Sequence, residues 1–186
     1  MPESIASPTL TKGAVRVAVS GSINLAPVGT ALPTSTTGSL NAAFKPLGYL
    51  SEDGLEESIE VSREPIRGWQ NAATVREVVT EAKLTYAGVL IETTVATVEA
   101  YYATTVTQTA THGTYTITPG KSSGPMAGVI TILDGAEVKV ITCTRLEVFK
   151  ASDAITYANG EPIGYPIEIV CYDDPVVYDT SLKTPA

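Results

Sequence analysis

Few side chains in this sequence could do acid–base, nucleophilic or metal chemistry. There is one histidine, His112, two cysteines, Cys143 and Cys171, and twenty acids. A Ser-His-Asp or Cys-His centre would have to use His112, which sits in the polar stretch "THGT". Neither a G-x-S-x-G elbow nor a second ligand cluster accompanies it, so it reads as a solvated loop histidine. The run "SEDGLEE" crowds Glu52, Asp53, Glu56 and Glu57. It lacks the D-x-[DN]-x-[DN]-G spacing of a calcium loop, and Asp53-Gly54 reads as a turn. Carboxylate pairs suited to sugar hydrolysis arise in any β fold with this many acids and carry no specificity. The cysteines are far apart, outside any C-x-x-C pattern and inside strand-like runs, so buried free thiols are expected. These residues imply no enzyme, no cofactor and no metal. What stands out instead is the only tryptophan, Trp69, in "REPIRGWQNAATVREVV".

The elements that position these residues belong to one domain, spanning 1–186. The chain is 44% hydrophobic and 17% charged, with a formal net charge of −8. An acidic chain without any run of Lys or Arg is not built to wrap nucleic acid. The start carries no basic stretch followed by an apolar one, and no apolar run approaches the ~20 residues that span a bilayer. A soluble protein without membrane contact is expected.

Period-two alternation dominates. "AVRVAVSG" and "SIEVSREPI" read as strands, the second ending at Pro65 or lying at a sheet edge. Between them an extended arm, about 22–54, is rich in Pro, Gly, Ser and Thr yet carries Leu25, Val28, Leu32, Leu40, Phe44, Leu47 and Leu50. So many apolar residues predict an arm that packs on something, a neighbouring molecule included. Val75 to Ala87 contains no turn residue, so either a hairpin turns near Glu81 or one long strand protrudes. "ETTVATVEAYYAT" is the one convincing helix. Thr93 or Thr94 caps it, and Val95, Val98, Tyr101 and Tyr102 form its apolar stripe. After a Thr-rich stretch with a strand fragment at Tyr115 to Thr118, Asp134-Gly135 marks a hairpin whose second strand, 137–150, is long. "YPIEIVCYDD" supplies a last strand, with Ile167, Ile169 and Cys171 on one face. The tail, about 175–186, has no pattern. The class is mainly β, a β-sandwich or open barrel with one packed α-helix and long loops.

The pieces "APVGTALP", "GYLSEDGL", "IRGWQNAATVREV" and "TYAGVLIETTVATVEAYY", in that order from Ala26 to Tyr102, resemble the major tail tube proteins of long, flexible-tailed bacteriophages, especially those infecting actinobacteria. The Thr-rich stretch at 104–128 is where departure from other members is expected. The resemblance implies a structural virion protein. Hexameric rings stack into a hollow tail tube, each subunit contributing strands to a shared inner β-barrel with a helix outside. Tape measure, tail tip and tail terminator proteins are the implied partners. Assembly takes place in the host cytoplasm, and DNA passes without sticking.

Sheets joined around a ring lose the exposed edges that otherwise aggregate, and stacking repeats one heterologous contact along an axis. An acidic lumen would repel phosphate. Its candidates are the acids on polar strand faces, Glu60, Glu77, Glu81, Glu137, Glu147 and Glu168, with facing that reverses on a one-residue register slip. Trp69, near Arg67 and Arg76, is a candidate subunit contact, as are Leu25, Val28 and Leu32 in the arm. Trp69 as a residue of its own chain's core is the main competing reading, and Trp69 as a ligand anchor the weakest, since no binding constellation surrounds it. A β-sandwich adhesion or carbohydrate-binding module is the alternative function. It would need an aromatic platform on one strand face, and none is evident.

Overall fold

A computed structural model describes residues 12–151 and 154–183. Residues 1–11 and 184–186, the ends of the expected domain and of its tail, lie outside the described residues. The main sheet is antiparallel and open, in the order β2-β1-β7-β8-β9-β4-β3. In chain order its strands are β1 (Ser20–Pro27), β2 (Lys45–Pro46), β3 (Leu50–Arg67), β4 (Thr74–Leu90), β7 (Met126–Asp134), β8 (Glu137–Lys150) and β9 (Tyr165–Cys171). A short β10 (Val176–Asp179) continues β9 along the same edge of β8. Two further short strands, β5 (Thr107–Gln108) and β6 (Gly113–Thr114), pair only with each other.

Helix α1 (Val95–Tyr102) lies on one face of the sheet. Its N-cap is Thr94, whose hydroxyl accepts the Thr97 N–H at 3.2 Å. Val98, Tyr101 and Tyr102 face Ile141, Leu146, Val148, Tyr165, Ile167 and Ile169 in the main core. Thr94→Ala is expected to cost about 1 kcal/mol, read as a fall of about 2–4 °C in Tm. A smaller core on the opposite face, Ala26, Phe44, Ala127, Val129 and Val140, is covered by Leu32, Val138 and Tyr178. The expected arm is thus packed largely on its own chain, because Leu25 and Leu47 enter the main core and Phe44 the second.

Burial holds the phenols of Tyr86, Tyr101 and Tyr102 above the usual tyrosine range, and for Tyr86 a hydrogen bond to Glu57 adds to it. Folding therefore favours the neutral phenols. That contribution is complete below the unfolded value of about 10 and disappears as pH rises beyond it. Tm is expected to fall above about pH 10, with phenolate absorbance appearing late and together with unfolding.

Four boundaries differ from those expected. β1 begins at Ser20, because its partner β7 ends at Asp134. Upstream, among the described residues, the Val19 N–H to the Leu133 carbonyl and the Val17 N–H to Asp134 Oδ2 hold the chain to the sheet, leaving Val15, Val17 and Val19 exposed. β3 runs straight through the expected Asp53-Gly54 turn, which is a bulge: Leu50 opposes Leu90 but Leu55 opposes Gly88. The expected strand at Tyr115 to Thr118 is instead the two-residue β6 just before it. The tail, which has no sequence pattern, forms β10 and a 3₁₀ turn, Thr180–Leu182. The Asp134 hairpin, the long β8 and the buried face of β9 are as expected.

Candidate assembly surfaces

β3 and β4 form a hairpin much longer than the sheet behind it. β4 is held between β9 and β3 from Leu84 to Leu90 only. Beyond that, from Glu60 to Ala82, every residue but the partly covered Gly68 is exposed. Val75 to Ala87 is thus one continuous strand rather than a turn near Glu81, protruding as far as Ala82 and inside the sheet from Leu84. Pro65 lies opposite Glu77 in β3, the outermost strand, where its missing N–H breaks no internal ladder.

Trp69 is at the tip and is 95% exposed, which excludes a core role within its own chain. The turn that presents it holds Asn71 and Ala72 at φ of 58° and 51°. Left-handed backbone at a non-glycine residue costs roughly 1–2 kcal/mol, and such strain collects where display matters. Arg67 and Arg76 flank the tip, opposite Thr74 and Ile66. Val28, in the loop after β1, is 52% exposed, whereas Leu25 is 4% exposed and Leu32 is packed on the second core. Trp69, Arg67 and Arg76 all lie in the exposed end of the hairpin, with Arg67 and Arg76 on opposite faces of it by register. Of the arm positions only Val28 offers open surface.

The register settles how the acids face. Across β3, β4, β9 and β8 the ladder places Glu60 beside Lys83, Ser62 beside Glu81, Glu168 beside both Ala87 and Phe149, and Glu147 beside Val170. Alternation puts all four acids on the face opposite α1. Glu77 and Glu137 are not among them. The register shift between Ser62 and Arg63 skips Thr80 and turns Glu77 to the helix side, where it lies 3.8 Å from Arg63. Glu137 accepts a hydrogen bond from the Thr180 hydroxyl at the far end of β8.

Sequence reasoning missed two acids of this face. Glu56 opposes Ala87 and Glu64 opposes Val78, and the alternation Glu56, Ser58, Glu60, Ser62, Glu64 against Leu55, Glu57, Ile59, Val61 was the available signal. Lys83 donates to Glu168 at 2.7 Å. That bond first, with Glu60 and Glu81 adding, raises its pKa. Lys83 thus sits among Glu60, Glu81 and Glu168. Glu147 accepts the Ser122 hydroxyl at 2.8 Å.

Cys143 and Cys171 are free and buried. The Cys143 thiol donates to the Arg145 carbonyl at 3.1 Å, and this close neighbour together with burial pushes the Cys171 thiol up. His112 is exposed in the β5–β6 turn, its Nδ1 2.9 Å from the Thr111 hydroxyl. Among the described residues no helix is long and apolar enough to cross a membrane.

The described surfaces are those of an open-edged sheet with a projecting hairpin. A profile of the phage tail tube protein family matches residues 8–180. The chain belongs to this family. Two solved structures are similar to this tail tube protein. One is the virion of a native gene transfer agent particle, at 8% identity and TM-score 0.40, over 76% of this chain and 92% of that one. The other is the tail of an empty gene transfer agent particle refined with helical C6 symmetry, at 7% identity and TM-score 0.41, over 90% and 98%. No curated protein matches this tail tube protein. The family is structural rather than enzymatic, and the protein is a component of the virion tail.

Proposed function

We propose that this tail tube protein forms hexameric rings that stack into the tube through which DNA leaves the capsid, with the Glu56, Glu60, Glu81, Glu147 and Glu168 face lining the lumen. The outer edge of β3 carries this reading. The strand is 18 residues long and hydrogen-bonded on one side only. An unpaired edge of that length is a template for another strand, and a ring closes it by pairing each subunit with the next. The same pairing would extend the acidic face around a continuous inner barrel and leave α1 outside. An acidic wall denies phosphate the counterion release that drives binding to basic surfaces. Subunits would assemble in the host cytoplasm, with tape measure, tail tip and tail terminator proteins setting length and ends.

Negative-stain micrographs of concentrated protein, alone and seeded with tail tips, test this. Six-fold rings and tubes are the expected result. Isolated subunits in both preparations, across low and high salt, would overturn it.

A further inference from the structure

A knob at one end of β3 is matched by a socket at the other. The knob is Trp69 with Arg67 and Arg76. The socket is a cleft of about 310 Å³ between β1 and the start of β3, floored by Ile23, Leu55, Ile130 and Ile132. The β3 bulge opens it, since Ser51 to Gly54 face the single residue Val89 and lift the chain away from β4. Glu52 lines the rim and Asp53 follows it. The cleft wall also includes Ser51, whose buried hydroxyl has no hydrogen-bond partner. An indole offers what this cleft lacks: a flat apolar body and one N–H donor. The arginines at its base complement the acids at the rim.

The geometry points to a second copy of this chain as the occupant. Trp69 of one subunit seats in the β1–β3 cleft of the next, so that successive copies stack head to tail along β3. This rests on the tube reading above and names the contact that stacks it. Knob and socket lie at opposite ends of one strand. From Leu55 to Arg67 the strand advances by about 40 Å at ~3.3 Å per residue, so Trp69 extends well clear of the cleft in its own chain. A contact between two different patches of the same molecule is heterologous and propagates instead of closing on itself. It also gives a function to the strained turn at Asn71 and Ala72, which holds the indole out in solvent until a socket covers it.

The test uses full-length variants. Trp69→Ala removes the knob. Ser20→Trp and Ala18→Trp, at exposed positions lining the cleft, each fill the socket. All three should unfold thermally like the wild type. Sedimentation velocity should show that neither class stacks alone. An equimolar mixture of one knob-less and one socket-filled variant, each first brought to its own assembly state of single subunits or rings, should double in mass and stop there, because only one stacking contact remains. Tubes formed by both socket-filled variants would overturn the inference, as would a mixture that stays at the mass of its components. If wild-type protein forms no tubes yet the mixture doubles, the tube reading fails and the contact stands. If wild-type tubes form and the mixture does not double, the contact fails and the tube reading stands.

Discussion

Excising the hairpin arm, by joining Ser62 to Glu81 through Asn-Gly, is expected to leave a folded subunit that forms no tubes. Ser62 and Glu81 are directly paired, so a two-residue turn fits the existing register. Everything removed is exposed or, for Gly68, partly so, and none of it belongs to either core. The one ion pair lost, Arg63 with Glu77, is exposed and worth less than about 1 kcal/mol. Stability should therefore change by no more than this, or about 2–4 °C in Tm, while Leu84–Leu90 remains held between β9 and β3. Assembly should fail completely, because the excision takes away Trp69, Arg67, Arg76 and the outer end of the free β3 edge from Arg63 on. A calorimetric scan together with sedimentation of the same sample separates the outcomes. A large drop in Tm would mean the arm stabilises its own subunit, and normal tubes would mean it is dispensable for stacking.

How much of this was legible in the sequence depended on whether a pattern had a partner. β8 and β9 were readable because both strands bury one face, so alternation in sequence is alternation in burial. The Thr94 cap and the α1 stripe were readable because they are local. Val15, Val17 and Val19 alternate just as well, yet they project past the Asp134 turn where the neighbouring strand stops. Glu56 was hidden by a composition that signals a turn, whereas tertiary pairing drew the whole "SEDGLEE" run into a strand through one glycine bulge at φ 72°. β10 was unreadable because it is four residues long and only half-buried along half of them. Acid facing followed the same logic. Glu60, Glu81, Glu147 and Glu168 share a face because their registers are regular between them, while a single skipped residue, Thr80, sends Glu77 to the other side. No propensity marks such a skip in advance. Trp69 was placed between two strands from sequence, but its exposure depends on how far β9 reaches along β4. That is a property of a strand about a hundred residues away.

Reversing charge on the acidic face should make the protein hold DNA. Glu60→Lys with Glu81→Lys changes the charge by +4 per subunit and puts two cations beside Lys83, which Glu60 and Glu81 now flank. Both positions are exposed and neither accepts a hydrogen bond from another side chain, so folding should be unaffected. Glu168 is left in place because it holds Lys83 at 2.7 Å, and Glu147 because it holds Ser122. The wild-type subunit should show no retention of duplex DNA at low salt. The variant should bind, and with two new phosphate contacts a four-fold rise in salt should weaken it by about ten-fold. The counter-variant Glu77→Lys with Glu137→Lys adds the same charge on residues outside that face. It should bind no more than any protein of equal net charge. Equal binding by both pairs would mean that net charge alone excludes DNA, and the shared face of Glu60 and Glu81 would then have no special part in it. Retention by the first pair only would tie DNA exclusion to the geometry of the β3–β4–β9–β8 surface. In assembled tubes the effect should grow, since every subunit in a ring presents the same face to the same axis.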